Sequence, residues 1–339
     1  KDISFYVTSL HRLLLPDMRY SKIRSLKRKW GKKINKQFAQ NDEIRARVFE
    51  QFRKHNFDNF SPILRSYSEL CKYAERFDSV LVGSDQLWLP SGLDTNFFNL
   101  MFVPDNINKI AYAASFGVSE IPESQKSRTI EYLNRIEHIS VREYSGQKLI
   151  KSLTGREISV IVDPTLVIGK DVWDANIPTE RNINEDYIFC YFLGNNSDQR
   201  EEAIKLSEET GLKIVTLRHM DEFIKTDEEF GDYAPYDVGP AEFVNMIRHA
   251  SYVCTDSFHG SVFSIINHKK FISFNRYGNN SKNSRNSRLD SLFNQIGIDR
   301  RFKSNIVQEM FQDIDYDKVE VQLQKLRSYA ENYLINALR

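Results

Sequence analysis

The 339-residue sequence is poor in cysteine, and its three cysteines form no pattern. Cys71, Cys190 and Cys254 are far apart and lack C-x-x-C spacing. The composition excludes a disulfide scaffold, and the spacing indicates neither a zinc site nor a redox pair. We expect reduced core thiols in a cytoplasmic protein that has no metal site.

Long apolar runs and an excess of either charge are also missing. No stretch approaches the roughly 18 apolar residues of a membrane-spanning helix, and none resembles a signal peptide. With 47 basic and 46 acidic residues the net charge is +1, so no global field recruits nucleic acid. The 41% hydrophobic content and the length predict a folded protein of two domains that is not inserted in a membrane.

One charged segment stands out. Between Arg19 and Lys36 there are nine Lys and Arg residues and no acid, and apolar residues such as Leu26, Trp30 and Ile34 lie among them. Two interpretations are open. The segment is either a basic amphipathic helix that contacts anionic lipid at the inner face of the membrane, or a solvated helix face or flexible connection.

From Phe77 onward, short β-branched runs alternate with amphipathic stretches, which predicts an α/β fold with mainly parallel sheets. The predicted strands are Ser79–Val82, Ile110–Ser115, His138–Val141, Val160–Val162, Tyr187–Leu193, Lys213–Leu217, Tyr252–Thr255 and Lys270–Phe274. A polar stretch near residue 180 divides them into an N-terminal domain (1–180) and a C-terminal domain (181–318). We expect the last helix, within 319–339, to pack back on the first domain.

A strand followed by a turn and a helix is predicted at Thr255–Gly260. Asp256 or Ser257 would cap the helix, whose first N–H groups attract phosphate or carboxylate. Gly260 would permit close approach of a ligand, and His259 is the side chain best able to exchange protons near neutral pH. The alternative is a buried capping turn in which a backbone carbonyl satisfies the histidine.

A second candidate site follows the strand that ends at Val82. Asp85 could accept a proton from a sugar hydroxyl, and the ring of Trp88 could stack on the sugar. The other candidate substrate-binding residues of this turn are Gly83, Ser84 and Gln86. The alternative is an ordinary turn with a tryptophan in the core.

Two arginines are candidates for binding an anionic substrate. Arg142 comes directly after an apolar run, so its guanidinium would emerge at a strand end and could bind phosphate or carboxylate. A salt bridge to Glu143 or Glu137 is the alternative. Arg288 stands where the cationic loop 275–288 enters a helix, and that loop could either close over an anionic donor or be an ordinary surface loop.

Six motifs, in this order and spacing, resemble the polysaccharide pyruvyl transferase family over about residues 78 to 301. They are Val82–Trp88, Ala111–Gly117, Ser140–Gly146, Asp163–Leu166, Thr255–Gly260 and Ser287–Gly297. The resemblance implies two Rossmann-like domains in a GT-B-like arrangement with a cleft between them. It also implies an enzyme that moves the pyruvyl group of phosphoenolpyruvate onto a sugar of a bacterial surface polysaccharide or its lipid-linked precursor.

The resemblance further implies roles for individual residues. His259 would be the acid-base histidine, Asp85 the acid of the N-terminal domain and Arg142 a donor-binding arginine, with Ser257 and Arg288 also holding donor anions. Phosphoenolpyruvate is then a substrate, and no cofactor is expected.

Relatives usually begin with a strand and a glycine-containing loop that this sequence lacks. We therefore expect part of the cleft to come from an upstream segment or to be altered. Two other functions stay open, a GT-B-type glycosyltransferase that uses a nucleotide sugar and a non-catalytic glycan-binding or assembly protein.

Overall fold

The computed structural model describes residues 16–218, 224, 227–276 and 287–339. Here the strands form two four-stranded sheets in which every pairing is parallel. The strands are β1 Ser79–Val82, β2 Asn108–Ala114, β3 His138–Val141, β4 Ser159–Val160, β5 Tyr187–Tyr191, β6 Lys213–Thr216, β7 Tyr252–Thr255 and β8 Lys270–Ser273. The predicted α/β fold with parallel sheets is confirmed, and strand ends differ from the predicted ones by at most two residues.

Helices connect and cover the strands, and a 3-10 helix spans Pro90–Thr95. The α-helices are α1 Pro16–Ile34, α2 Lys36–Asn56, α3 Tyr67–Ala74, α4 Glu123–Arg135, α5 Tyr144–Thr154, α6 Pro164–Val167, α7 Lys170–Asn176, α8 Ser197–Thr210, α9 Pro240–His249, α10 Phe258–Ile266, α11 Ser287–Ile296, α12 Ile306–Met310 and α13 Tyr316–Ala337. Gly155 ends α5 with a φ of 74°, as predicted for a C-terminal glycine. Among the described helices, none combines the length and hydropathy that a bilayer span requires.

The chain groups into two compact units, each built around one sheet and each discontinuous in sequence. The first-sheet unit contains Phe60–Ile168, 287–299 and Asp317–Arg339, and the second-sheet unit contains 16–59, Gly169–Arg276 and Arg300–Tyr316. Helix α13 joins the first-sheet unit through specific polar contacts. Arg327 Nε donates to the carbonyl of Leu166 at 2.9 Å, and the Tyr333 hydroxyl donates to the carbonyl of Ala111 at 2.8 Å.

In the first-sheet unit the strand order is β1-β2-β3-β4. The central strands β2 and β3 are almost fully buried, with Ile110, Ala111 and Val141 at 0% exposure. Strands that are covered on both faces read as continuous apolar runs, which is why their positions could be predicted. The sheet is thus a rigid base for the side chains that follow its strands.

In the second-sheet unit the strand order is β6-β5-β7-β8. The chain runs from β5 outward to β6 and then returns to the other side of β5, so the order reverses between β5 and β7. Ligands of open parallel sheets bind outside the carboxyl ends of strands at such a reversal. Tyr191 and Thr255 are paired at those ends, which places the Thr255–Gly260 motif at the reversal.

The basic segment is helical, which excludes a flexible connection for residues 16–34. Asn35 separates α1 from α2, and its side chain caps α2 by accepting the N–H of Phe38 at 3.0 Å. Arg28 and Lys32 of α1 both form ion pairs with the buried Asp42 of α2. Burial alone would raise the pKa of Asp42, but the hydrogen bonds from Lys32 and Arg28 hold it below its ordinary value. These two cations therefore fasten α1 to α2.

Candidate functional site

A buried ion pair lies at the carboxyl ends of the first sheet. Arg142, which directly follows β3, is 2% exposed, and its Nη1 donates to Asp163 Oδ2 at 2.7 Å. Asp163 also accepts the hydroxyl of Ser84 at 3.0 Å and the N–H of Thr165 at 3.1 Å. Because Ser84, Arg142 and Asp163 follow β1, β3 and β4, this pair connects the ends of three strands.

The other side of Arg142 faces an exposed carboxylate. Arg142 Nη2 donates to Asp85 Oδ1 at 3.0 Å, and Arg288 Nη1 lies 3.8 Å from the same oxygen. The Asp85 side chain is 59% exposed, whereas both arginine side chains are below 10%. Asp85, Arg142 and Arg288, which were predicted from sequence, therefore lie close together in the first-sheet unit.

Glu143 is a buried acid beside this cluster that the sequence reasoning considered only as a salt-bridge partner. Its Oε1 accepts the hydroxyl of Ser115 at 2.9 Å, and its Oε2 has no hydrogen-bond partner within the described residues. Burial raises the pKa of Glu143 above its ordinary value of 4.5, although Arg142 and the Ser115 hydroxyl oppose this shift. Glu143 is the N-cap residue of α5, but its side chain makes no capping hydrogen bond.

Trp88 belongs to the core. Its side chain is 2% exposed, and its ring centroid lies 5.2 Å from that of Phe116 and 5.5 Å from that of Tyr132. The indole N–H donates to the carbonyl of Phe98 at 3.0 Å. The expectation that this ring stacks on a sugar is corrected, because neither face of the indole is open to solvent.

Gly83 and Gln86 have clear packing roles. A Cβ on Gly83 would lie 2.0 Å from the carbonyl oxygen of Tyr112, so the close approach of the chain to β2 requires glycine. The amide of Gln86 lies against Gly117, which has a φ of 63°. Contacts of Gly83, Ser84 and Gln86 with a substrate stay predictions.

The second candidate site lies at the strand reversal of the second-sheet unit, where β7, a turn and α10 follow one another as predicted. Of the two candidates, Ser257 is the cap, and its Oγ accepts the N–H of Gly260 at 3.2 Å. The hydroxyl of Thr255 accepts the N–H of Ser257 at 3.0 Å. A Cβ on Gly260 would lie 2.5 Å from Thr255 Oγ1, so this glycine is required for packing of α10 on β7.

Asp256 points towards the loop that follows β5. Its carboxylate accepts the N–H groups of Leu193 and Gly194, both at 2.8 Å, and Arg276 Nε lies 3.4 Å away. The half-buried ring of His259 contacts Phe258 edge-on. Arg276 is a partner that the sequence reasoning missed, because nothing local indicates which acid a loop arginine will meet.

Two other expectations concern the donor-covering loop and a metal site. Of the predicted donor-covering loop 275–288, residues 277–286 lie outside the described residues. In the part of the chain that the structure describes, no three His, Cys, Asp or Glu side chains converge as a metal site would require.

The chain is thus an α/β protein whose parallel sheets carry arginine–carboxylate clusters at their carboxyl ends. The family model of polysaccharide pyruvyl transferases matches residues 8–277. The chain therefore belongs to the polysaccharide pyruvyl transferase family, as its motifs predicted. No curated protein matches it significantly.

Solved structures that resemble the chain include enzymes of nucleotide sugars. A UDP-GlcNAc 2-epimerase from Methanocaldococcus jannaschii has 16% identity over 81% of each chain, with a TM-score of 0.46. A UDP-GlcNAc 2-epimerase from Neisseria meningitidis has 12% identity over 79% of this chain and 84% of its own, with a TM-score of 0.42. The glycosyltransferase SnogD from Streptomyces nogalater has 8% identity over 84% and 80%, with a TM-score of 0.36. Structural similarity at these TM-scores says nothing about the chemistry of this chain.

Glu143→Gln should make the stability of the protein less dependent on pH. Because burial raises the pKa of Glu143, the protonated carboxyl stabilises the wild type at low pH. That contribution is lost as the pH rises above 4.5 and through the raised folded value. Gln has the shape of the protonated acid and cannot ionise, so the free energy of unfolding of the variant should fall less as the pH rises above 4.5.

Urea denaturation at several pH values measures this difference. Glu137→Gln, which changes an exposed acid of the same unit, is the matched control and should follow the wild type. Parallel curves for the wild type and Glu143→Gln would show that the carboxyl is already ionised in the folded protein.

Proposed function

We propose that this chain transfers the pyruvyl group of phosphoenolpyruvate to a sugar of a surface polysaccharide or its lipid-linked precursor, forming a pyruvate ketal and releasing phosphate. Family membership supports polysaccharide pyruvyl transfer as the reaction class. The donor assignment rests on one observation, that the buried Arg142 and Arg288 both face the exposed carboxylate of Asp85. Phosphoenolpyruvate carries a carboxylate and a phosphate, the anions that guanidinium groups bind by paired hydrogen bonds.

Donor binding would rearrange Asp85. Arg142 Nη1 is engaged by the buried Asp163, so an incoming anion has access to the Nη2 side and to Arg288. Asp85 occupies that position here, and its exposure allows its carboxylate to turn away. Once displaced, Asp85 would be available to take the proton of a sugar hydroxyl.

The chemistry that we propose balances with one proton gained by the donor carbon and two lost by the sugar hydroxyls, the surplus proton leaving with phosphate. A proton added to the methylene carbon of phosphoenolpyruvate makes C2 electrophilic, and one sugar hydroxyl attacks C2 and loses its proton. Phosphate then leaves, and the second hydroxyl closes the ketal ring with loss of its proton. We assign the first proton to His259 and the hydroxyl proton to Asp85, and we assign anion binding to the α10 terminus at Ser257 and Gly260.

Measuring the release of phosphate from phosphoenolpyruvate with a panel of lipid-linked sugars tests the proposed reaction. Thermal melting with each ligand alone separates the other candidates, because a ligand that binds only the folded state raises the melting temperature. Phosphoenolpyruvate should stabilise the protein. Stabilisation by a nucleotide sugar but not by phosphoenolpyruvate would favour a glycosyltransferase, and stabilisation by glycan alone would favour a binding protein.

Variants of Arg288 and Asp85 should change donor affinity in opposite directions. Arg288→Leu removes a cation from the donor position and should weaken phosphoenolpyruvate binding by about 2 kcal/mol, the scale of a charge-assisted hydrogen bond. Asp85→Asn removes the competing carboxylate, so it should bind phosphoenolpyruvate more tightly while its turnover falls. Calorimetry measures affinity, and Lys151→Leu, an exposed cation of α5, is the control.

Unchanged phosphoenolpyruvate affinity in Arg288→Leu, or weaker binding in Asp85→Asn, would show that the donor does not bind at the Arg142–Asp85–Arg288 cluster. Arg142→Leu is a poor probe, because it leaves the buried Asp163 without its cation. Breaking such a pair costs about 3–5 kcal/mol of stability.

His259→Ala should lower turnover by roughly two to four decades, the contribution of a positioned proton donor. The ring is half-buried, so the fold should persist. Phosphate release and the melting temperature are measured together, with His55→Ala on the exposed surface of α2 as control. Near-normal turnover in a folded variant would exclude His259 as the acid, and early melting would indicate that its role is to stabilise the turn.

Helix α1 presents an apolar face that supports the membrane interpretation. Ile23, Leu26, Trp30 and Ile34 are all more than half exposed, Trp30 at 66%. At 100° per residue they lie within about 80° of one another around the helix. We propose that this face rests on an anionic leaflet and keeps the enzyme near a lipid-linked acceptor.

The cations of α1 fall into different groups. Lys29 and Lys33 are exposed beside the apolar face and can contact lipid headgroups. Arg28 and Lys32 are engaged by Asp42. The predicted cations whose side chains lie outside the described residues are Arg19, Lys22, Arg24 and Lys27.

Replacing Leu26 and Trp30 with Gln should abolish co-sedimentation with anionic vesicles, because the apolar face drives insertion at the interface. Lys29→Gln with Lys33→Gln should weaken it and reduce its sensitivity to salt, since each cation contributes about 1 kcal/mol at most. The matched control is Arg47→Gln with Lys54→Gln on α2, both exposed. Equal sedimentation of all variants would support the solvated-face interpretation instead.

A further inference from the structure

A furrow of about 810 Å³ lies between α5 and α11 of the first-sheet unit. Helix α11 contributes Ser287, Asp290, Ser291 and Asn294, which are spaced i, i+3, i+4 and i+7 and so share one face of the helix. Its opposite face is apolar and buried. The furrow side of α11 therefore carries polar side chains, of which Ser291 is buried and Asp290 and Asn294 are exposed.

Helix α5 supplies the other wall. Tyr144 is 41% exposed at its first position, Lys148 is exposed one turn later, and the buried Leu149 forms an apolar floor. A half-exposed aromatic ring above an apolar floor offers a flat surface to the C–H face of a ligand. The furrow thus combines one aromatic wall with hydrogen-bonding groups on the other.

The contacts between the two helices leave this space open. The N–H of Tyr144 donates to Ser291 Oγ at 3.1 Å, and the hydroxyls of Ser145 and Ser287 are 3.3 Å apart. Packed helices normally fill their interface with apolar side chains, whereas these meet through hydroxyls. The volume lies within the range of roughly 300–1,000 Å³ that is usual for small-molecule sites.

From this geometry we infer that the furrow binds a neutral sugar unit of the acceptor polysaccharide, an inference that rests on the function proposed above. The amide of Asn294, the carboxylate of Asp290 and the serine hydroxyls are suited to the donors and acceptors of sugar hydroxyls. Lys148 and Asp290 have opposite charges, so the furrow favours a neutral ring over a phosphate.

The position of the furrow supports the same occupant. Tyr144 directly follows Glu143, and Ser287 directly precedes Arg288, so both walls continue into the Arg142–Asp85–Arg288 cluster. A sugar held in the furrow would lie next to the proposed donor position.

Saturation-transfer NMR with lactose, maltose, mannobiose and N,N′-diacetylchitobiose at millimolar concentrations tests the inference. At least one disaccharide should receive saturation from the wild type, and Tyr144→Ala and Asn294→Ala should each weaken its binding about tenfold. Tyr144→Phe keeps the ring and should bind like the wild type. Tyr329→Ala, which removes an exposed tyrosine elsewhere in the unit, should have no effect. Absence of transfer to every disaccharide, or equal transfer in Tyr144→Ala, would overturn the inference.

Kinetics separate this inference from the proposed function. If both are right, Tyr144→Ala and Asn294→Ala raise the KM for the acceptor about tenfold and leave phosphoenolpyruvate affinity unchanged by calorimetry. If these variants are active and their acceptor KM is unchanged, the inference about the furrow is wrong but the proposed function stands. If sugar binding depends on Tyr144 but the protein releases no phosphate from phosphoenolpyruvate, the inference about the furrow stands and the proposed function is wrong.

Discussion

The buried ion pair between Arg142 and Asp163 is the interaction on which the arrangement of the first-sheet site depends. Both side chains are almost fully inaccessible, and a pair of this kind tolerates burial only when its remaining polar atoms have partners. Ser84 and Thr165 provide those partners for Asp163. One side of the guanidinium is thereby fixed, so only the Nη2 side is directed towards Asp85 and any ligand.

The second-sheet unit contains a comparable arrangement. Asp256 is buried at the carboxyl end of β7, accepts the N–H groups of Leu193 and Gly194, and pairs with Arg276. In both units a buried carboxylate connects loops that follow neighbouring parallel strands. Such loops have exposed N–H groups and little apolar surface, so a shared carboxylate fixes them where hydrophobic packing cannot. A group that orders a loop in this way also orders the ligand-binding side chains on it.

Much of the fold and part of the site could be predicted from sequence. The strands were found because each is a short buried run that ends in a polar turn. Asp85 and Arg142 were found because they follow such runs, and Arg288 because it stands where a cationic loop enters a helix. The roles of Gly83 and Gly260 could not be predicted, since a glycine after a strand has the same pattern whether a ligand or the chain's own atoms come close. Here Tyr112 and Thr255 are the close neighbours.

Sequence alone did not show the contacts with distant parts of the chain that fix two other features. The core position of Trp88 depends on Phe116 and Tyr132, which no local pattern links to it. The return of α13 to the first-sheet unit depends on Arg327 and Tyr333 meeting backbone carbonyls more than a hundred residues earlier. Motif spacing describes the order of elements along the chain, whereas these contacts are set by tertiary packing.

Charge balance connects Glu143 to the donor proposal. Arg142 and Arg288 carry two positive charges beside the carboxylates of Asp163 and Asp85, and the proposed donor anion would take the position of Asp85. An ionised Glu143 would lower the positive potential at that position and make it less favourable for an anion. Burial opposes this by raising the pKa of Glu143 despite the attraction of both arginines. By opposing ionisation, burial of Glu143 favours the positive potential that the proposed donor site needs, while its hydrogen bond with Ser115 keeps it part of the packed structure.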